Sequence, residues 1–196
     1  MPPRSCLGYS FTQLFFILSH YGFLSPDFKK DLQSAIALID GKENEIITEA
    51  EKVSSLLVSR YPIIYCTSHW EGVAIRFRQQ LNENAKTLCS HHVIPEMNHN
   101  ELVGWRTYNA HTLVLLFRDR DENKRNDLRI QIIKEVIAAC TPHIVEIWSE
   151  GKTKIEKAIW FIHIGDWISV KLAEKRGVDP VEVKVIDHLK SELGKK

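Results

Sequence analysis

The chain has 196 residues, enough for one domain of ordinary size, and 44% hydrophobic with 26% charged residues is the balance of a soluble globular protein. Its formal net charge is +1, and no basic run exceeds two residues, as at Lys124-Arg125. Neither a nucleic-acid-binding stripe nor an electrostatic membrane anchor is therefore expected.

Four cysteines at positions 6, 66, 89 and 140 are scattered without a CxxC pair. They are expected to be reduced, packed thiols of a cytoplasmic protein rather than a disulfide framework. The N-terminus, PPRSCLGYSFTQLFFILSHYGFL, opens with Pro2, Pro3 and Arg4, and polar residues break its apolar run. It falls short of the roughly 20 apolar residues of a membrane span and lacks the form of a signal peptide. An amphipathic helix is predicted.

From Pro26 to Arg60 apolar residues recur at three- and four-residue spacing, at Leu32, Ile36, Ile39, Ile46, Ile47, Ala50, Val53 and Leu57. This predicts helix, with Gly41 separating two segments. Pro62-Ile63-Ile64-Tyr65-Cys66 is a short apolar run, the mark of a strand buried on both faces. Thr67-Ser68 then predicts the cap of a helix reaching about Lys86. Further strands are predicted at 91–94, 111–117 and 143–148. A helix with Leu128, Ile132, Ile133, Val136 and Ile137 on one face comes before the last of them. Helices at about 153–176 and 181–193 close the chain.

Strands alternating with helices imply right-handed crossovers and a parallel sheet. The expectation is a three-layer α/β domain over 60–196 preceded by helices over 1–59. Ligands of such sheets sit at the carboxyl ends of the strands. That singles out Thr67 and Ser68, then the Pro95–Asn100 segment. Hydroxyls and free amides at a helix start suit an anion, although Thr67-Ser68 read alone is an ordinary N-cap.

Two polar segments carry possible chemistry. One is Gln79-Gln80-Leu81-Asn82-Glu83-Asn84-Ala85-Lys86, at the end of an otherwise amphipathic helix. The other is Pro95-Glu96-Met97-Asn98-His99-Asn100-Glu101-Leu102-Val103-Gly104-Trp105, with acids, amides and an imidazole just after a strand. These are the groups that proton-transfer chemistry needs. His91 and His92 fall on opposite faces of a strand and cannot readily chelate together, so no metal is assigned.

The NENAK and PEMNHNELVGW runs, with PPRSCLGYSF and GDWISVKLAEKRGVDP, resemble the bifunctional phosphoglucose/phosphomannose isomerases, and the segments stand in the same order. The likeness extends from Pro2 to Leu193. It implies a flavodoxin-like sugar-isomerase (SIS) fold with a parallel sheet of four to five strands. In that reading 1–59 is a helical connecting segment, 60–196 is the second SIS domain, and the family's N-terminal SIS domain is absent. The family interconverts glucose 6-phosphate or mannose 6-phosphate with fructose 6-phosphate, without metal or cofactor.

Residue by residue, the resemblance gives Glu83 the role of base, moving a proton between C2 and C1 through a cis-enediolate. A carboxylate suits that role if burial lifts its pKa. His99 matches a ring-opening histidine supplied by the neighbouring subunit, which implies a homodimer with shared sites. Arg4 matches an arginine that stabilises the enediolate, and Lys190 a lysine that assists ring opening. Glu96 and Glu101 could orient His99 or bind a sugar hydroxyl. Trp105 is read as core.

Two departures qualify the likeness. The family's Ser/Thr- and Gly-rich phosphate loop is not found, so the chain alone is expected to be weakly active or inactive. Val181 and Glu182 also stand where the family often carries a threonine after Asp-Pro, which puts the mannose activity in doubt. The competing expectation is a sugar-phosphate-binding regulatory or dimerisation module without catalysis.

Overall fold

The computed structural model describes residues 2–195. A 3₁₀ turn at Pro3–Cys6 leads into α1 (Leu7–His20), and α2 runs from Phe28 to Leu57. The α/β part follows as β1 (Tyr61–Thr67), α3 (Glu71–Glu83), β2 (Ser90–Ile94), α4 (Glu101–Gly104), β3 (Thr112–Arg118), α5 (Lys124–Ala138), β4 (Ile144–Trp148) and α6 (Lys154–Arg176). Helix α7 (Lys184–Leu193) comes last.

All strand pairs are parallel and the sheet order is β2-β1-β3-β4. The order reverses beside β1, because the crossovers from β1 and from β2 leave in opposite directions. Both faces of β1 and β3 are apolar, so alternation divides two cores. Ile64, Cys66, Leu113, Leu115 and Phe117 face α2, α3 and α6 in the front core. Tyr65, Val114 and Leu116 face Ile130, Ile133 and Ile137 of α5, together with Met97, in the back core.

Helix α6 has strong local signals at both ends. Thr153 accepts from the Glu156 N–H, and the Glu156 carboxylate accepts from the Thr153 N–H, a reciprocal capping box. Gly177 ends the helix at φ +64°, in the left-handed region that glycine enters without a Cβ clash. Between them Phe161, Ile164, Ile168, Leu172 and Ala173 bury one face.

Gly41 does not divide the first helical third, contrary to expectation: α2 is one helix of 30 residues. An interior glycine costs only about 1 kcal/mol relative to alanine. The face made by Ile46, Ala50, Val53 and Leu57 packs into the front core, and the α2–α6 contact is the most extensive between any two elements. That burial outweighs one glycine. The buried stripe of α5 also differs. Ile130, Ile133 and Ile137 are covered, while Leu128 and Ile132 are 60% and 48% exposed. The helix carries two apolar stripes, and the sheet can cover only one.

Thr67 does not cap α3. Its hydroxyl donates to Glu122 Oε2 at 3.0 Å, and a 3₁₀ turn, Ser68–Trp70, intervenes before the helix. Helix α1 buries none of its residues fully, but Phe15 and Phe16 lie 5.5 Å and 5.2 Å from Phe28, between ring centres. Among the described residues no helix is long and apolar enough to cross a membrane.

Candidate functional site

Helix α3 runs antiparallel to the strands. It leaves the carboxyl end of β1 and returns to the amino end of β2, where Ser90 pairs with Ile63. Glu83 is its last residue. At about 1.5 Å per residue, twelve steps put Glu83 roughly 18 Å from Glu71 and the neighbouring Ser68. Glu83 therefore lies near the amino ends of the strands, away from the end at which an open sheet usually binds ligand.

Arg4 meets Glu83 there. Its Nη1 donates to Glu83 Oε2 at 3.0 Å, and its Nε donates to Asn84 Oδ1 at 2.7 Å. Its Nη2 donates to the Pro180 carbonyl at 2.5 Å and lies 3.3 Å from that of Val181. The guanidinium fork thus joins the start of the chain, the end of α3 and the segment after α6. The Arg4 side chain is 11% exposed and that of Glu83 38% exposed, so the acid is not buried. Glu83 keeps one side toward solvent while Arg4 holds the other.

Further residues fix this pair. Buried Asn84 accepts from Arg4 and donates to Ser169 Oγ at 2.8 Å. Arg76 donates to the Arg4 carbonyl at 3.1 Å and to Asp166 Oδ2 at 2.7 Å, and Gln80 donates to Asp166 Oδ1 at 2.8 Å. Lys86 donates from Nζ to the carbonyls of Glu83, at 2.6 Å, and Glu182, at 2.7 Å. A cleft of about 490 Å³ opens beside them, lined by Asn82, Glu83, Lys86, Leu88, Glu182 and Ile186 among others. Because Pro180, Val181 and Glu182 all bind through backbone carbonyls, the side chains at 181 and 182 do not decide those contacts.

The other candidates lie elsewhere. Thr67 is buried and engaged with Glu122, while Ser68 is exposed beside it. Glu96 and His99 are exposed in and just after a 3₁₀ turn at the carboxyl end of β2, where the His99 N–H donates to the Glu96 carbonyl at 3.0 Å. Lys190 is exposed on α7 and has no side-chain partner among the described residues. One chain thus brings Arg4 to Glu83 and brings neither His99 nor Lys190 into contact with them.

Glu101 faces the back core, across the sheet from α3. It accepts from Tyr65 Oη at 2.6 Å and lies 3.3 Å from His92 Nε2, and Trp105 Nε1 donates to Tyr65 Oη at 3.0 Å. Burial, and then the adjacent carboxylate, push the Tyr65 hydroxyl well above its ordinary pKa, so it stays protonated and donates. Trp105 is half-buried against this core. Burial also pushes the Cys66 thiol up to about 12 and the Cys89 thiol up to about 11, which leaves both as thiols.

Asn84, Lys86, Gln80, Asp166 and Ser169 were not singled out by sequence reasoning. Asn84 and Lys86 stand within the polar run that drew attention to Glu83. Asp166 and Ser169 stand in the GDWIS stretch, where helical spacing hides their polar role.

Three comparisons place these features. The profile of the bacterial phospho-glucose isomerase C-terminal SIS domain matches residues 46–193. A bifunctional phosphoglucose/phosphomannose isomerase of Aquifex aeolicus is 30% identical, over 98% of this chain and 59% of that protein. One of Caldicellulosiruptor bescii is 32% identical, over 98% and 60%. The chain thus spans about 60% of the length of these relatives. The fold is similar to that of a glucose-6-phosphate isomerase-like protein of Thermus thermophilus, with a TM-score of 0.69, 18% identity, and coverage of 91% of this chain and 60% of that one. It is also similar to a tagatose-6-phosphate ketose/aldose isomerase of Escherichia coli, with a TM-score of 0.55, 13% identity, and coverage of 91% and 49%. The fold and the span of the profile together establish that this chain belongs to the bacterial phosphoglucose isomerase C-terminal SIS domain family.

Proposed function

We propose that this chain is the catalytic half of a sugar-phosphate aldose–ketose isomerase, converting glucose 6-phosphate, mannose 6-phosphate or both to fructose 6-phosphate in the cytoplasm. The observation that carries this reading is the Arg4–Glu83 pair, formed between residues 79 positions apart and open to a cleft on one side. Glu83 removes the proton from C2 of the open-chain aldose and returns it at C1 through a cis-enediolate. Proton transfer by a placed carboxylate contributes about 10²- to 10⁴-fold in rate. Arg4 places a fixed positive charge beside the developing oxyanion, a contribution of roughly 3 kcal/mol.

The separation of Glu83 from His99 supports a shared site. Each lies at a different end of the sheet, so a histidine acting on sugar held at Glu83 comes from a second copy. We read 1–59 as the connecting segment and 60–196 as the SIS domain, with sugar phosphate gripped by an N-terminal SIS half like that of the longer relatives. Asp- or Glu-based proton transfer of this kind uses side chains alone.

The test is deuterium incorporation. The chain is mixed with fructose 6-phosphate in heavy water, with and without the N-terminal half of the Aquifex aeolicus relative, and C1 and C2 are followed by NMR. Solvent exchange that falls about 10²- to 10⁴-fold in Glu83→Gln is the expected result. Exchange indifferent to that change refutes Glu83 as the base.

A further inference from the structure

Lys86 has φ +54°, in the left-handed region where its Cβ crowds the neighbouring carbonyl. Helix α6 ends on a glycine in the same region, whereas the chain leaving α3 uses a lysine. Such a conformation persists where the surroundings over-determine it. Here the Thr87 N–H closes the turn on the Leu81 carbonyl at 3.1 Å, Asn82 Nδ2 donates to the Thr87 carbonyl at 2.7 Å, and the Lys86 ammonium meets two further backbone carbonyls. The Glu83 carbonyl belongs to the last turn of α3, whose carbonyls have no intrahelical partner, and it accepts from Lys86 Nζ. The Glu182 carbonyl, two residues before α7, accepts from the same ammonium. Helix α7 buries none of its residues, and Val185, Leu189 and Leu193 are exposed by more than half, so packing holds it only loosely.

We infer that Lys86 is a positioning residue: its ammonium locks the backbone of Glu83 to the entry of α7, so the acid and the last helix move as one unit around the cleft. The catalytic consequence rests on Glu83 being the base; the lock itself does not.

The test is hydrogen–deuterium exchange on the full chain, comparing wild type with Lys86→Gly and Lys86→Met. Glycine accepts φ +54° freely, so it keeps the turn while removing the ammonium and its stem, and Lys86→Met removes the ammonium but keeps an apolar stem. Loss of charge-assisted bonds at one tie should raise amide exchange across 182–193 about tenfold in both variants, with the α2–α6 core unchanged and partial recovery in Lys86→Arg. Wild-type protection of 182–193 in Lys86→Gly overturns the inference and leaves Lys86 as a turn residue. If Lys86→Met fails to fold, Lys86→Gly still decides. A second arm, with the N-terminal half supplied, follows deuterium entry into fructose 6-phosphate. A slower kcat at unchanged KM in Lys86→Gly supports positioning, and an unchanged kcat overturns it. Should wild type show no exchange into sugar even with the N-terminal half supplied, the base assignment fails while the amide arm still decides the lock.

Discussion

The Arg4 guanidinium lies 3.0 Å from the Glu83 carboxylate, although 79 positions separate the two residues. Three other acceptors, on Asn84, Pro180 and Val181, surround the same fork. A planar fork with fixed donors meets all of them at once, and a lysine cannot. Arg4→Met is expected to slow solvent exchange into fructose 6-phosphate by about 10²- to 10³-fold. Arg4→Lys should keep the charge but lose the links to Asn84 and Pro180, falling between the two. Equal rates for wild type and Arg4→Met would remove Arg4 from the chemistry.

Gly165 and Gly41 should respond oppositely to alanine. A Cβ at buried Gly165 would sit 2.9 Å from Cδ2 of Phe77, whose ring packs in the front core. Overpacking costs about 1–3 kcal/mol, against about 1 kcal/mol gained in helix propensity. Gly165→Ala is therefore expected to destabilise by about 1 kcal/mol in urea unfolding. At Gly41 a Cβ meets nothing within 4 Å, so Gly41→Ala should stabilise by about 1 kcal/mol. Stabilisation by Gly165→Ala would mean that Phe77 moves aside without cost.

Lys157 is 5% exposed and reaches Asp119 at 2.6 Å and Asp121 at 2.5 Å. Burial alone would raise the Asp119 pKa, but the Lys157 ammonium, the Asp121 amide and the Ser149 hydroxyl outweigh it and hold it below its usual value. Burial would lower Lys157, and the two carboxylates outweigh that and raise it. The depressed carboxyl stabilises above the unfolded value of ~3.9, and this is lost as pH falls through the folded value. The raised ammonium stabilises below ~10.4 and is lost as pH rises through its folded value. Lys157→Met, which strands Asp119, should cost about 3 kcal/mol at neutral pH and flatten the acid limb of the stability curve. An unchanged acid limb in urea unfolding from pH 3 to 7 would show that the pair does not govern acid sensitivity.

Much of this architecture was readable from residue patterns. The apolar run at 62–66 and the alternation of strands and helices point to a parallel sheet, and the helix expected at about 153–176 matches α6. The polar NENAK run drew attention to Glu83. What was not readable follows from direction and from partners far away in the chain. The rule that ligands sit at strand carboxyl ends favours Thr67 and Ser68, yet Glu83 sits at the far end of a crossover helix, one helix length away. Arg4 finds Asn84 and Pro180 only after folding. Glu101 carries the same charge as Glu96, and only Tyr65 and His92 turn it toward the back core. The continuity of α2 through Gly41 is likewise decided by the α6 face it covers.

The central claim is that one chain separates Glu83 from His99, and that a second copy brings them together. Mixing Glu83→Gln protein with His99→Ala protein tests it most directly, each variant alone being inactive in deuterium exchange into fructose 6-phosphate with the N-terminal half supplied. Random pairing creates one site with both groups intact in half of the dimers, so about a quarter of the wild-type rate should return. No recovery in a mixed dimer verified by native mass spectrometry would contradict the account.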